Sequence, residues 1–359
     1  MRYIPLIAIN LLVLLAACSG SNNTSRQETT SQAVPFTQNT TLVKDSFETG
    51  KVLPNITCKA TPAESFALYV PTSYSTTSAA LPVIIFFDPH GDGNIPVEKY
   101  AQLAEKSNYI LIGSNSSKNG MPFQQSLAAA NNLLTDAMQR LSIDARQITF
   151  CGFSGGAKVA MLAAAENDKV SRVVYCGAVQ PWQSLNHPLS LLGFAGLRDM
   201  NYSDLVSFQL SETVAQLPHY MIEWSGKHEW PDAKTFAYAM LPNWANIPAG
   251  ELIKIDEQKL AVLNKEQTQK QELITAFNTQ DINWWKQKID SLNANKKINL
   301  VNERLLGFIS LACYSMGNQS LQQNNLPAAK KVFTIYKLAD PGNKDCEAMW
   351  QKYNQMGGN

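Results

Sequence analysis

Ile148-Thr149-Phe150-Cys151-Gly152-Phe153-Ser154-Gly155-Gly156-Ala157-Lys158 is an apolar, β-prone run that enters Gly-x-Ser-x-Gly and leaves through an Ala-rich helical stretch. A strand, a tight turn and a helix in that order lift a serine hydroxyl clear of a sheet. Glycines on both sides of the serine let the turn approach the neighbouring strand and the following helix, where a side chain would clash. With glycine at its usual ~7% of residues, the five-residue pattern alone arises by chance in roughly one chain in ten of this length. Its meaning depends on whether the chain also supplies a base, an acid and an oxyanion site in the right order.

On either side of this run, strand-like and helix-like segments alternate from Gly50 to about Trp244. Ser65–Val70, Pro82–Phe87, Tyr109–Gly113, Gln147–Phe153, Ser171–Cys176, Ser190–Phe194 and His219–Trp224 are expected as strands. The central ones are continuous apolar runs, as in parallel strands buried on both faces. Leu127, Ala130, Leu134, Ala137 and Leu141 recur at helical spacing, and Ser203–Leu217 is a second candidate crossover helix. The alternation predicts an α/β fold, a three-layer sheet with right-handed crossovers. Ligands bind such sheets at the carboxyl ends of the strands, so each catalytic residue is expected just after a strand.

The chain has four histidines, His90, His187, His219 and His228. His228 follows the last strand through Trp224-Ser225-Gly226-Lys227, whereas His219 opens that strand and His187 precedes Ser190–Phe194. Placement favours His228 as the base. Asp199 follows the strand that begins at Ser190 and is preferred as the acid over Asp204, which lies deeper in the next segment like a helix-start residue. The order Ser154, Asp199, His228 is that of the α/β-hydrolases. Val83-Ile84-Ile85-Phe86-Phe87-Asp88-Pro89-His90-Gly91-Asp92-Gly93 ends a strand in His-Gly-x-Gly. The backbone N–H of Gly91 or Asp92, with that of Gly155, is expected to bind the developing negative oxygen. A two-metal site starting from Asp88, His90 and Asp92 is the rival, with Asp199 and His228 as further ligands; two of the four histidines are badly placed for it, so the ligand count falls short.

These pieces, with Leu68-Tyr69-Val70-Pro71 and His228-Glu229-Trp230-Pro231, resemble the α/β-hydrolase superfamily over roughly residues 50–245. The likeness is to secreted phospholipase/carboxylesterase-like and polyhydroxybutyrate-depolymerase or feruloyl-esterase-like members. It implies a serine hydrolase that works through an acyl-enzyme with no metal or organic cofactor. About a dozen residues separate Cys176 from Ser190, too few for the lid that many lipases insert there. An open site suits a small-molecule or polymer-borne ester. Phe153, Trp182 and Trp230 are the candidate pocket aromatics, although Trp182 fits equally well as a cap on the sheet edge.

The remainder of the chain sets address and organisation. Of 359 residues, 45% are hydrophobic, and the formal net charge is +1. No Lys/Arg stripe appears, which argues against a nucleic-acid partner. Arg2, an apolar run and Leu15-Ala16-Ala17-Cys18 form a signal too short to span a membrane. The ending resembles a bacterial lipobox, which implies acylation of Cys18 and anchoring in the cell envelope, more naturally at the outer membrane. The expected organisation is a signal peptide over 1–17, a lipidated flexible tether over 18–49, a hydrolase domain over 50–247 and a helical region over 248–359. Cys58, Cys151, Cys176, Cys313 and Cys346 follow Cys18, and a Cys313–Cys346 bridge is one possible pairing.

Past Pro248 the chain is rich in Lys, Gln, Asn and Leu. With Ser310 as position one, Gly317, Ala329, Phe333 and Pro341 match tetratricopeptide positions, while Cys313 and Ser320 do not. This resembles one degenerate repeat, which must pack on helices such as Gln258–Phe277 and Ile282–Leu292. An unrelated helical hairpin fits as well. The function expected first is carboxylic-ester hydrolysis. A peptidase on the same triad is the alternative within the same machinery. An inert binding lipoprotein, whose C-terminal helices recruit a protein partner, is the alternative outside it.

Overall fold

Strands covered by helices on both faces have no wet side, so their side chains are apolar in both directions. That condition holds through the centre of this sheet, whose residues 44–76, 79–182, 185 and 187–358 are described by a computed structural model. Eight strands are present among them: β1 (Val52–Thr57), β2 (Ser65–Tyr69), β3 (Leu81–Phe87), β4 (Ile110–Ser114), β5 (Ile143–Phe153), β6 (Arg172–Cys176), β7 (Ser190–Gly196) and β8 (His219–Trp224). They lie in the order β1-β2-β4-β3-β5-β6-β7-β8. The pairings of β2 with β1 and β4 are antiparallel, and β4, β3 and β5 to β8 run parallel.

Helices α1 (Asn94–Ser107), α2 (Phe123–Arg140), α3 (Gly155–Glu166) and α4 (Tyr202–Gln209) fill the crossovers, and α5 (Ala233–Phe236) follows β8. Alternate residues of each strand serve opposite layers. Val83, Ile85, Phe87 and Phe150 pack with Leu134 of α2 and Ala160 of α3. Ile84, Phe86 and Cys151 pack with Tyr100 of α1, Trp230 and Phe236. The result is a three-layer α/β sheet, in which residues 177–189 connect β6 to β7.

Three boundaries differ from the sequence-based expectation. Strand β1 carries Pro54 and a register shift between Leu53 and Ile56, and it is half exposed at the sheet edge, where proline is tolerated. The helix expected over Ser203–Leu217 ends at Gln209, and a single 3-10 turn at Glu212–Val214 follows it. Residues 44–49, assigned to the flexible tether, dock on α2 instead. Lys44 Nζ donates to the Met138 carbonyl at 2.6 Å and the Asp45 N–H to the Arg140 carbonyl at 2.9 Å. Arg140 then bonds the Asp45 carboxylate and lies over the Phe47 ring. Cys18 and the rest of the N-terminal 43 residues lie outside the described residues.

Five helices complete the chain: α6 (Glu257–Thr279), α7 (Ile282–Asn295), α8 (Leu300–Gln322), α9 (Leu326–Ala339) and α10 (Lys344–Gln355). Asp256, Asp281, Asn299, Asn325 and Asn343 cap them in turn, each accepting a first-turn N–H, which satisfies a donor the helix itself cannot. Phe277, Trp285, Ile309 and Phe333 centre their shared core. At Gly317 a Cβ would lie 2.4 Å from the Phe333 ring, so α8 and α9 approach closely there. Leu263 of α6 enters the sheet's own core. Cys313 and Cys346 are buried free thiols, not a bridge, as are Cys58, Cys151 and Cys176. Among the described residues, no helix is long and apolar enough to cross a membrane.

Candidate active site

Strand β5 ends at Phe153 and α3 begins at Gly155, which leaves Ser154 alone to reverse the chain. Its backbone stands at φ 53° and ψ −122°, a conformation that costs a non-glycine residue about 1–3 kcal/mol. The surroundings enforce it. The Ser154 N–H donates to the Cys176 carbonyl at 2.8 Å. A Cβ at Gly152 would lie 2.1 Å from the Gly156 carbonyl oxygen, and one at Gly156 would lie 1.9 Å from that of Phe87. Both glycines are therefore contact points between backbones.

His228 lies in the loop after β8, and its Nε2 stands 2.9 Å from Ser154 Oγ. Its Nδ1 is 3.0 and 3.1 Å from the two oxygens of Asp199, in the turn after β7. An ionised carboxylate only accepts, so the proton belongs on Nδ1 and leaves Nε2 free to accept from the serine hydroxyl. Asp199 is 2% exposed; it also accepts the Asn201 N–H at 2.8 Å, and Asn201 Nδ2 ties the turn to the Gly177 carbonyl at 2.7 Å. Phe153 packs against the imidazole with ring centroids 4.7 Å apart. A serine with its hydroxyl on an oriented imidazole can be deprotonated as it attacks an electrophilic carbon.

The remaining candidates sort differently. Asp204 sits on α4 and faces α6 through Gln267 and Lys270. His90 is solvent-facing, with Nδ1 2.9 Å from Asp88 Oδ1. His219 lies at the opposite end of β8 from His228, bonded to the Tyr175 hydroxyl at 2.6 Å. Of the expected oxyanion donors, Gly91 gives its N–H to the Asp88 carbonyl at 3.1 Å. The Asp92 N–H has no hydrogen-bond partner among the described residues. Gly155, the first residue of α3, has no carbonyl in its own helix to bond.

Of the three aromatics expected around a pocket, all are buried: Phe153 lies against the His228 ring, and Trp230 and Trp182 sit in the packing. Trp230 stands between Phe153, Phe86 and Tyr100, and its indole N–H donates to Asp88 Oδ2 at 2.8 Å. Trp182 is on the other side of the sheet, edge-on to Phe208. Asp88 is thus engaged by Trp230 and its own turn, and Asp199 by His228. Among the described residues, no group of three or more His, Cys, Asp or Glu side chains is placed to hold a metal ion.

Two contributors gave no sequence signal. Asn119, whose N–H donates to the Pro89 carbonyl at 2.8 Å, places its side-chain oxygen 1.8 Å from where a Cβ on Gly155 would stand. It is the polar side chain that lies over the residue after the serine, and it comes from a loop without a motif. The second contributor is α8, whose Arg304 donates to the carbonyl of Leu197 at 2.8 Å, two residues ahead of Asp199.

No protein-family model matches the chain, and no curated protein matches it either. Solved structures do. An S-formylglutathione hydrolase from Staphylococcus aureus is 14% identical, covering 53% of this chain and 96% of its own, with a TM-score of 0.44. An esterase from Pyrobaculum calidifontis is 12% identical over 55% of this chain and 82% of its own, TM-score 0.42. An esterase from Mycobacterium marinum is 15% identical over 54% of this chain and 76% of its own, TM-score 0.39.

Proposed function

We propose that this chain is a serine hydrolase that cleaves carboxylic esters through an acyl-enzyme. One observation carries the reading: Ser154 Oγ, His228 and Asp199 stand in a continuous hydrogen-bonded line, at 2.9 Å and at 3.0 Å, on a serine held in a strained turn. Ser154 Oγ attacks the ester carbonyl as its proton passes to His228 Nε2, and Asp199 stabilises the resulting imidazolium without taking its proton. The oxygen that becomes negative is bound by the Gly155 N–H and, in this reading, by that of Asp92. Each such donor lowers the barrier by about 3–4 kcal/mol. His228 returns the proton to the leaving alcohol. Water then attacks the acyl-enzyme, its proton goes to His228 and on to Ser154 Oγ, and the carboxylic acid departs.

The address proposed for this activity is the bacterial cell envelope, reached through an acylated Cys18. Its support is the Leu15-Ala16-Ala17-Cys18 ending after a short apolar run. Labelling with a fluorophosphonate probe tests the reaction: the wild-type chain is modified at Ser154, and Ser154→Ala abolishes both labelling and ester cleavage. Labelling that persists in Ser154→Ala overturns the assignment. A panel of nitrophenyl esters against aminoacyl-nitroanilides separates esterase from peptidase, with turnover expected on the esters.

A further inference from the structure

The turn that carries Asp199 is held from outside the sheet. Arg304 of α8 donates through Nη1 to the Leu197 carbonyl and through Nε and Nη2 to both carboxylate oxygens of Glu266 on α6, at 2.6 to 3.1 Å. Its guanidinium also lies over the Tyr202 ring, 4.6 Å from the centroid. Arg304 is 4% exposed and Glu266 is fully buried. Tyr202, the first residue of α4, donates its hydroxyl to Glu223 of β8, and Glu223 accepts from Lys259 of α6 at 2.8 Å. Glu303, beside Arg304, stands 3.7 Å from Arg198 and 3.6 Å from Lys227. Those two residues immediately precede Asp199 and His228 in the chain.

Stability alone does not account for this arrangement. A buried ion pair commonly adds no more stability than apolar side chains of the same volume. What a guanidinium adds is a rigid fork, able to fix a carboxylate and a backbone carbonyl in one geometry. The carbonyl it fixes belongs to the Gly196–Asn201 turn, and the direction of that turn decides where the Asp199 carboxylate meets the imidazole. We propose that α6 and α8 form a positioning module for the acid–histidine half of the site, in which Arg304, anchored by Glu266, holds the Asp199 turn through the Leu197 carbonyl while Glu303 spans the residues preceding Asp199 and His228. The inference rests on the serine-hydrolase reading above.

The test uses the full chain and the rate of labelling by a fluorophosphonate probe as a function of pH, below each variant's unfolding midpoint. Arg304→Met combined with Glu266→Leu replaces the pair with apolar groups, which favours a folded variant. Labelling at neutral pH is expected to fall by about 30–100-fold, in line with a displaced catalytic group. The acid limb is expected to move to lower pH, because an imidazolium without its aligned carboxylate is less stabilised. Arg304→Lys, a point charge without the fork, is expected to lose about 3–10-fold, with the same shift. Glu303→Gln is expected to lose about twofold, because its contacts are long and solvent-screened. A folded double variant that labels within about twofold of wild type, or that loses rate with an unmoved acid limb, overturns the proposal. If the double variant does not fold, Arg304→Lys decides by the same two criteria. A wild-type chain that is not labelled, or a Ser154→Ala chain that is, refutes the underlying hydrolase reading instead.

Discussion

Ser154 is held by close backbone packing, whereas the Asp199 turn, itself closed by backbone bonds, carries in addition a brace of side chains from distant helices. Around the serine, Gly152, Gly156 and Phe87 meet main chain to main chain, and the Ser154 N–H closes onto the Cys176 carbonyl. Around the acid, the Leu197 and Arg198 N–H groups bond the Trp224 and Gly226 carbonyls, and Asn201, Arg304 and the Glu223–Tyr202 contact add side-chain bracing that reaches into helices more than 50 residues further along the chain. Backbone packing needs glycine at defined spacings, so it leaves a local motif. Side-chain bracing needs only that two distant groups meet, and it leaves none. The two halves should therefore fail differently when altered.

The sharpest way to break this contrast is to add one methyl group to each half. In Gly156→Ala the new Cβ would lie 1.9 Å from the carbonyl oxygen and 2.5 Å from the carbonyl carbon of Phe87, in the centre of the sheet. Neither β3 nor α3 can move without disturbing buried neighbours, so a loss of about 3 kcal/mol or more is expected in urea unfolding. In Gly307→Ala on α8, the Cβ would lie 3.2 Å from the Cβ of Met200, a surface-turn side chain. Alanine's helix preference of about 1 kcal/mol offsets that small displacement. The variant is expected to stay within about 1 kcal/mol of wild type. Equal losses at the two positions would erase the distinction between the halves.

Strand β8 offers a second comparison, because a histidine stands near each of its ends. His219 is partly buried at the amino end, with its Nδ1 buried and unpartnered among the described residues, and desolvation pushes its pKa down from 6.5 to about 4. The folded value lies below the unfolded one, so the unfolded chain binds the extra proton. The associated stability is present above pH 6.5 and is lost as pH falls towards 4. A loss of roughly 2–3 kcal/mol over that window follows from the size of the shift. His219→Gln, which can keep a bond to Tyr175, should flatten this part of the profile. An unchanged slope in His219→Gln would assign the acid sensitivity to other groups.

How much was legible in the sequence follows the same division. The central strands were legible because both their faces are apolar, and the serine turn because its glycines are compulsory. The carboxyl-end rule located the segments holding Asp199 and His228. Strand β1 was not legible: Pro54 and half-exposed residues give an edge strand no alternation. Docking of residues 44–49 depends on Arg140, which lies 95 residues from Asp45. Trp230 looked like a pocket aromatic, since nothing local shows that its indole meets Asp88, 142 residues away. Arg304 and Glu266 were likewise unremarkable charges on amphipathic helices until their 38-residue separation closed into contact.

The Trp230–Asp88 bond joins the two halves, since Asp88 opens the loop after β3 and Trp230 closes the loop of His228. Both side chains are buried, at 5% and 2% exposure, so Trp230→Phe leaves Asp88 Oδ2 without its indole donor. The His90 N–H still reaches Oδ1, which confines the damage to one oxygen. A loss of about 1–2 kcal/mol is expected. Part of it comes from the smaller ring, and a double-mutant cycle with Asp88→Ala separates the two contributions. If the bond itself holds the loops together, the double variant should be about 1 kcal/mol more stable than the sum of the single losses predicts. Strict additivity would mean that the halves are joined by apolar packing around Phe153 and Phe86 alone, and that Trp230 acts there only through its volume.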